Sequence, residues 1–427
     1  MSEPDMTTSA AATPDGKLTV VLLAHHHGSD NIASQRFRGL LRYLPRSQYK
    51  VQVLCGPWQR SETELNLEVT CVSAPLLAKA SAAARLWVLG AMLRSGKVRF
   101  GKIGGDSWIA KAVDLARTRV RAELAAGNQV VVMATYSPVD ALIAARLVAQ
   151  AEGVPFVQDF RDGLAYESLG RKGTVFCYLR QVLEGWTVRH AAGITSVTRS
   201  LVAHFAASYP ETPTHLLYNG FDNAEFPINA TVGPNSESTQ VLKVTLGHFG
   251  RVSASEAARL RTFTSLLDYL ERAKFMGILS FFGELTDQET DLLARSPLCT
   301  EIHGQVSRQL AVENMRSMAA LLVVTGESEG VATGKIFEYL FSGPRIILAT
   351  LRRNEAARLL EEIGDDDMVL DFSDPATIPA QAVFAEHLRR PFTRNRERIR
   401  RFEKSAQALE LAAILQDAAA TRAKGEL

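Results

Sequence analysis

Residues 326–348 read GESEGVATGKIFEYLFSGPRIIL. The stretch leaves a buried strand, crosses a glycine-rich loop, enters a helix, and passes through a Gly-Pro turn into a second buried strand. Gly330 and Gly334 let the backbone turn tightly before a helix that starts near Lys335. A helix start presents unpaired N–H groups and the positive end of the helix dipole, which suits a diphosphate. Lys335 adds a full positive charge, and Glu338, one turn on, can accept hydrogen bonds from ribose hydroxyls. Glycine-punctuated strand–helix connections also occur with no ligand, so the residues alone leave both readings open.

The same order of elements recurs on either side. Leu18–Ala24 (LTVVLLA) is a continuous apolar run rich in β-branched residues, the pattern of a parallel strand buried on both faces. A polar loop, HHHGSDN, and a helical pattern, IASQRFRGLLRYLP, follow it. Val51–Cys55, Gln129–Tyr136, Pro155–Asp159, Ile194–Val197 and His215–Tyr218 are further strand candidates, interleaved with helical stretches. A polar stretch from Asn223 to Gln240 interrupts the pattern. It then restarts with Val241–Phe249, Ile278–Phe282, Thr300–His303, Ala320–Val324 and Arg345–Ala349. Such alternation predicts an α/β protein of two doubly wound, mostly parallel, Rossmann-like domains facing a central cleft, where small-molecule sites tend to lie. The expected division is a disordered leader (1–17), a first domain (18–225), a second domain (226–395), and a C-terminal helix (396–427) crossing back to the first domain.

Composition narrows the function classes. The 427 residues are 46% hydrophobic and 22% charged, which excludes a mostly disordered chain. With 48 Lys and Arg against 46 Asp and Glu, there is no basic excess of the kind a dedicated nucleic-acid binder carries. Cys55, Cys71, Cys177 and Cys299 are widely scattered, forming neither a disulfide framework nor a zinc motif. No run approaches about 18 uninterrupted apolar residues, so no spanning helix is expected. A reduced, cytoplasmic setting is the expectation.

Charge is nonetheless uneven. After Lys79 come Arg85, Arg94, Lys97, Arg99, Lys102, Lys111, Arg117, Arg119 and Arg121, opposed only by Asp106 and Asp114. Interleaved with LWVLGAML, residues 79–121 suit a helix lying on an anionic membrane surface, or else a solvated helix beside the cleft. A second basic run, Arg389–Lys404, suggests a charged helix crossing back over the first domain, which could also reinforce such a surface. His25, His26 and His27 are consecutive, so they cannot all face one metal ion. Ser200 and His204 lie four apart in a helical pattern without an elbow motif or an evident acidic partner, so a hydrolase triad is not expected.

Four segments, in order, resemble the retaining GT-B glycosyltransferases of the family-four, nucleotide-sugar-dependent group. They are GSDNIASQRFRGLLRYLP, YSPVDALIAARLVAQAEGVPFVQDFRD, LLYNGFDNAEF and GKIFEYLFSGPRIIL, and the resemblance spans residues 18 to about 400. It implies a cytoplasmic enzyme, peripheral at the inner face of the cell membrane if the basic patch serves that purpose. The enzyme would move a hexosyl group from a nucleoside-diphosphate sugar to a saccharide or lipid-linked acceptor, in cell-surface polysaccharide or glycoconjugate assembly. No cofactor and no metal are implied, the nucleotide sugar being a co-substrate. The donor would bind at Gly28, Arg251, the backbone of Val331, Ala332, Thr333 and Gly334, Lys335, and Glu338. Asp162, Arg161 and Asp159 would serve the acceptor side, and Arg251 the departing diphosphate. Two positions depart from the pattern: Glu256 stands where the group often has lysine, and Gly330 where it often has a first glutamate. A nucleotide-sugar epimerase and a degenerate binding or scaffold partner are the alternatives.

Overall fold

The computed structural model describes residues 16–28, 32–57, 67–93, 106–166, 175–225, 244–253, 256–330 and 334–423. Most of the expected leader, most of the interdomain stretch, and Val331–Thr333 lie outside them.

The first sheet has seven parallel strands in the order β3-β2-β1-β4-β5-β6-β7. They are β1 (Leu18–Leu23), β2 (Tyr49–Cys55), β3 (Glu68–Cys71), β4 (Val130–Tyr136), β5 (Phe156–Phe160), β6 (Gly193–Ser196) and β7 (Thr214–Leu216). The second sheet repeats the arrangement with six strands, β10-β9-β8-β11-β12-β13. These are β8 (Thr245–Phe249), β9 (Ile278–Phe282), β10 (Cys299–Gly304), β11 (Ala320–Val324), β12 (Arg345–Thr350) and β13 (Met368–Asp371). In each sheet the order reverses beside the first strand, which opens a crevice at the strands' carboxyl ends, between β1 and β4 and between β8 and β11. Loop residues after those strands are thereby placed to form a site.

Period-two alternation divides each sheet between two cores. Val21, Leu23, Val130 and Val132 pack under helices α3 (Trp108–Ala125) and α4 (Val139–Glu152). Their neighbours Val20, Leu22, Val131 and Met133 pack on the other face with α1 (Ile32–Tyr43). That second face is completed by Leu411, Ile414, Leu415 and Ala418 of α14 (Lys404–Ala423), which returns from the second domain. In the second sheet Leu321, Val323, Ile346 and Leu348 face α10 (Gly334–Ser342) and α11 (Glu355–Ile363), and Leu322, Val324 and Ile347 face α7 (Ala257–Arg272).

Two passages of the chain connect the domains, and they lie side by side. Phe221 N–H donates to the Phe402 carbonyl (2.9 Å) and Lys404 N–H to the Phe221 carbonyl (2.8 Å). Lys404 also bonds the Asn219 carbonyl through its ammonium group. Gly220 has φ +60, and a Cβ there would stand 2.3 Å from the Phe402 carbonyl oxygen. Only glycine fits this close approach of two backbones. The second basic run is largely consumed in holding this region and the second domain together. Arg394 pairs with Asp365 and Asp367, Arg396 donates to the Phe341 carbonyl, Arg398 to that of Ile363, and Arg401 pairs with Glu362. It is therefore chiefly a set of internal ties, and it lies on a short helix (Arg396–Ile399) and a 3-10 turn (Arg400–Phe402) ahead of α14, which corrects the expectation of one charged helix.

Gly220→Ala combines left-handed strain with a backbone clash, and should cost at least about 1–3 kcal/mol. Urea denaturation of the variant beside the wild-type chain measures it.

Candidate functional site

Helix α10 carries the pattern quoted at the outset into three dimensions. Ile336, Phe337, Tyr339, Leu340, Phe341 and Ser342 are buried. Lys335 and Glu338, three apart, are left on the one stripe that faces the cleft. Together with Gly334 they line a cavity of about 480 Å³, whose other walls include Phe249, Arg251, Phe282, Glu284, Gln305 and Arg308. Phe282 stacks between Phe249 (4.5 Å) and His303 (4.2 Å), making an aromatic ladder across the ends of β8, β9 and β10.

The loop after β8 is fixed from three sides. Phe249 N–H donates to the Tyr339 hydroxyl (2.8 Å), Ser253 N–H to Glu289 Oε1 (2.7 Å), and Gly250 N–H to the Phe282 carbonyl (2.5 Å). Gly250 has φ +88, and a Cβ there would press on the Lys335 side chain at 3.1 Å. Lys335 Nζ donates to the Arg251 carbonyl (2.7 Å) and lies 3.3 Å from His248 Nε2. His248 Nδ1 faces the Leu322 carbonyl at 2.9 Å, and its Nε2 faces the Arg251 carbonyl at 3.2 Å as well as Lys335. Burial, then Lys335, holds the imidazole down at about 3, so it is neutral. Burial, then Arg259, lowers the Lys335 ammonium to about 8. An anion reaching this pocket would relieve that penalty, because it supplies the charge Lys335 lacks.

Arg251 is exposed, stands 3.5 Å from Glu284, and lines the cavity with it. Glu338 accepts from Arg308 Nη2 at 3.2 Å. Both line a second, smaller cavity that reaches across to Gln35, Arg36 and Asn219 of the first domain. Val331, Ala332 and Thr333 lie outside the described residues. Arg259 is a residue that motif reading missed. It forms an ion pair with Glu256 at 2.8 Å, one helical turn before it, and its charge reaches both Lys335 and His248. The acidic Glu256 is thus neutralised locally. An (i, i+3) acid–base pair at a helix start was the available signal.

On the first domain the three candidates of the DFRD segment separate. Asp159 is fully buried and its two oxygens accept from Arg36 (2.8 and 3.3 Å), Thr195 (2.7 Å) and Thr135 (2.8 Å). Every lone pair is used inside the protein, so Asp159 is a framework carboxylate and not a group that meets substrate. Arg161 donates through Nε to the Tyr136 carbonyl (2.9 Å) and lines a small pocket with His26, His27, Ser34 and Ser137. Asp162 is exposed just beyond β5. Gly28 is buried in the turn after β1. His25 packs edge-on against Trp108, and burial lowers it to about 4. His204, for which the motif offered no acidic partner, has one: Glu184 on α5 (Val175–Val188), at 2.7 Å. Glu184 also accepts from Ala165 N–H at 2.8 Å, so the pair holds the loop after Asp162.

Across the cleft, Arg199 at the start of α6 (Arg199–Ser208) binds α11. Its N–H donates to the buried Glu355 (3.1 Å), and its guanidinium pairs with Glu362. Glu355 N–H in turn donates to the carbonyl of Glu329, in the loop before α10.

The first basic run is not one helix. Its described part comprises a short 3-10 turn (Leu77–Lys79), α2 (Ala82–Leu93) and α3. Arg117 and Arg121 pair with Glu152, and Arg119 approaches Glu68, whereas Lys79, Arg85 and Lys111 remain on the surface. Arg94, Lys97, Arg99 and Lys102 lie outside the described residues. Among the described residues no helix is long and apolar enough to cross a membrane, and no three His, Cys, Asp or Glu side chains are grouped to hold a metal ion.

Removing the framework carboxylate should leave Arg36 buried and unpaired, so Asp159→Ala is expected to cost about 3–5 kcal/mol. Asp162→Asn, at an exposed position, should change stability by no more than about 0.5 kcal/mol. Chemical denaturation of the two variants checks the contrast.

Comparison with known proteins agrees with this architecture. A family model described as a glycosyl transferase 4-like domain matches residues 33–220. No curated relative matches the chain by sequence. Sucrose-phosphate synthase from Thermosynechococcus elongatus superposes with a TM-score of 0.58 at 11% identity, over 95% of this chain and 100% of that one. A UDP-forming trehalose-phosphate synthase from Burkholderia vietnamiensis gives 0.57 at 13% identity, over 96% and 99%. Anabaena HepE in complex with UDP-glucose gives 0.54 at 15% identity, over 95% and 99%. Residues 33–220 thus resemble a glycosyl transferase 4-like domain, and the whole chain takes the two-domain GT-B fold.

Proposed function

We propose that this chain is a retaining, metal-independent glycosyltransferase that moves a hexosyl group from a nucleoside-diphosphate sugar to an acceptor hydroxyl. The observation that carries the reading is the start of α10. There Gly334, Lys335 and Glu338 meet Arg251 on one cavity, and Gly334 and Glu338 also line the smaller one that reaches the first domain. The helix start and Lys335 would take the diphosphate, with Arg251 closing over it and Arg259 adding field from behind. Glu338, oriented by Arg308, would hold the ribose hydroxyls, and the aromatic ladder would flank the base. As the glycosidic bond breaks, negative charge grows on the diphosphate, and these fixed cations stabilise it. The acceptor would lie over β4 and β5, with Asp162 positioned to receive or orient its hydroxyl proton and Arg161 beside it. Closing of the domains would exclude water from the transferred sugar. That HepE is seen with UDP-glucose supports a nucleotide-sugar donor.

The proposed setting is the assembly of a cell-surface polysaccharide or glycoconjugate at the cytoplasmic face of a membrane, with a saccharide or lipid-linked acceptor. Exposed Leu86 and Leu89 on α2, beside exposed Arg85 and Lys79, support contact with anionic lipid.

A thermal-shift screen across nucleotide sugars is the first test, since a ligand of the native state raises the apparent melting temperature. Stabilisation by one donor and release of its nucleoside diphosphate only with acceptor are the expected results. Prompt epimerisation without acceptor would overturn the reading. Lys335→Ala should lower kcat/KM by about 10²–10³. Glu338→Ala should weaken donor binding, and unchanged binding would point to a non-catalytic partner.

Acidity gives a separate check. Lys335 is charged below about pH 8 and neutral above it in the unliganded protein. Donor affinity should therefore fall as pH rises through about 8. Lys335→Arg, whose guanidinium stays charged, should lose that decline in a calorimetric titration.

A further inference from the structure

Cys55 and Cys71 are 16 residues apart, yet they close adjacent parallel strands, β2 and β3, at the same register position. Their sulfurs lie 3.8 Å apart. Neighbouring strands run about 4.7–4.9 Å apart, inside the roughly 4.4–6.8 Å separation of α-carbons that a disulfide bridges. Both side chains point to one face, as paired positions in a parallel sheet must. They differ in access: Cys71 is exposed and Cys55 is fully buried. That is the division of labour of a reacting thiol and a resolving thiol. Cys177, on α5, and Cys299, on β10, belong to other elements.

We infer that Cys55 and Cys71 form a thiol-modification site, at which a low-molecular-weight disulfide captures Cys71 and Cys55 then displaces it to leave an intramolecular disulfide. The Cys71 thiolate attacks one sulfur of the small disulfide and expels one small thiolate. The Cys55 thiolate attacks the Cys71 sulfur of the mixed disulfide and expels the second. Two protein thiols give up two electrons and two protons, and the small disulfide becomes two thiols. Access then dictates the order: Cys71 reacts first and Cys55 second.

The bond would tie a four-residue edge strand to a strand end that carries much else. The Cys55 carbonyl accepts from Trp108 Nε1 (3.3 Å) and from Val72 N–H (2.8 Å). Gly56 N–H donates to the carbonyl of His25, in the loop bordering the cleft (2.8 Å).

The test treats the full-length reduced protein with glutathione disulfide, quenches with iodoacetamide, and maps peptides by mass spectrometry. The expected product is a Cys55–Cys71 cross-linked peptide pair, lighter than the two reduced peptides by two hydrogens and restored by dithiothreitol. Cys55→Ser should instead leave glutathione on Cys71, and Cys71→Ser should leave Cys55 reduced. The inference is overturned if wild-type Cys71 keeps its glutathione while Cys55 alkylates after denaturation. It is equally overturned if neither cysteine reacts when exposed Cys299 does. Wild-type protein alone decides between these outcomes, so loss of folding in a variant does not obscure them.

Discussion

The buried pair of Arg36 and Asp159 is the joint on which the first domain and its link to the second both rest. Asp159 is the second-to-last residue of β5, and Arg36 projects from α1. The same guanidinium that neutralises Asp159 also donates to the carbonyls of Leu217 (2.9 Å) and Tyr218 (2.9 Å), where the chain leaves for the second domain. A guanidinium has five donors in a fixed plane, so it can satisfy a carboxylate and two carbonyls together, which an ammonium group cannot. Asp222, a few residues on, is gripped by Arg42 (2.5 Å) and Tyr43 (2.7 Å) of the same helix. One helix therefore sets both the floor of the cleft and the angle at which the chain departs.

The second domain solves a different problem, that of placing positive charge where water is scarce. Its aromatic core forces α10 to present Lys335 and Glu338 together, and the loop after β8 is pinned before any ligand arrives. Lys335 is held by a carbonyl and a neutral imidazole, partners that orient it without cancelling its charge. Such preorganisation places the reorganisation cost in folding and not in the chemical step. The pairing of Glu256 with Arg259 belongs to the same design, since it keeps an acidic helix start from opposing the anion.

Much of this was legible in the sequence. Buried parallel strands such as LTVVLL and ALLVV announce themselves because both faces are apolar, and the glycine-rich entry to α10 marked the cavity. Two strands escaped notice, β3 and β13. Each has four residues at a sheet edge and is partly exposed, so neither shows a continuous apolar run. Asp159 was misjudged for a physical reason: a carboxylate at a strand's carboxyl end looks like a ligand until its partners are known. Arg36 is 123 residues away, and no local pattern reveals the pair. The Glu184–His204 contact and the approach of Cys55 to Cys71 are likewise products of topology, visible only once the strands are in order.

The return of α14 to the first domain has a consequence for how the molecule is made. Leu411, Ile414 and Leu415 complete a core whose other members lie mostly in the first half of the chain. During synthesis at about 5–20 residues per second, nearly two hundred residues separate the last strand of that domain from its covering helix, a delay on the order of 10–40 s. Throughout it, the apolar flank of β1, β2 and α1 stands open on the ribosome. The first domain must wait, half finished, until the second has been threaded out beyond it.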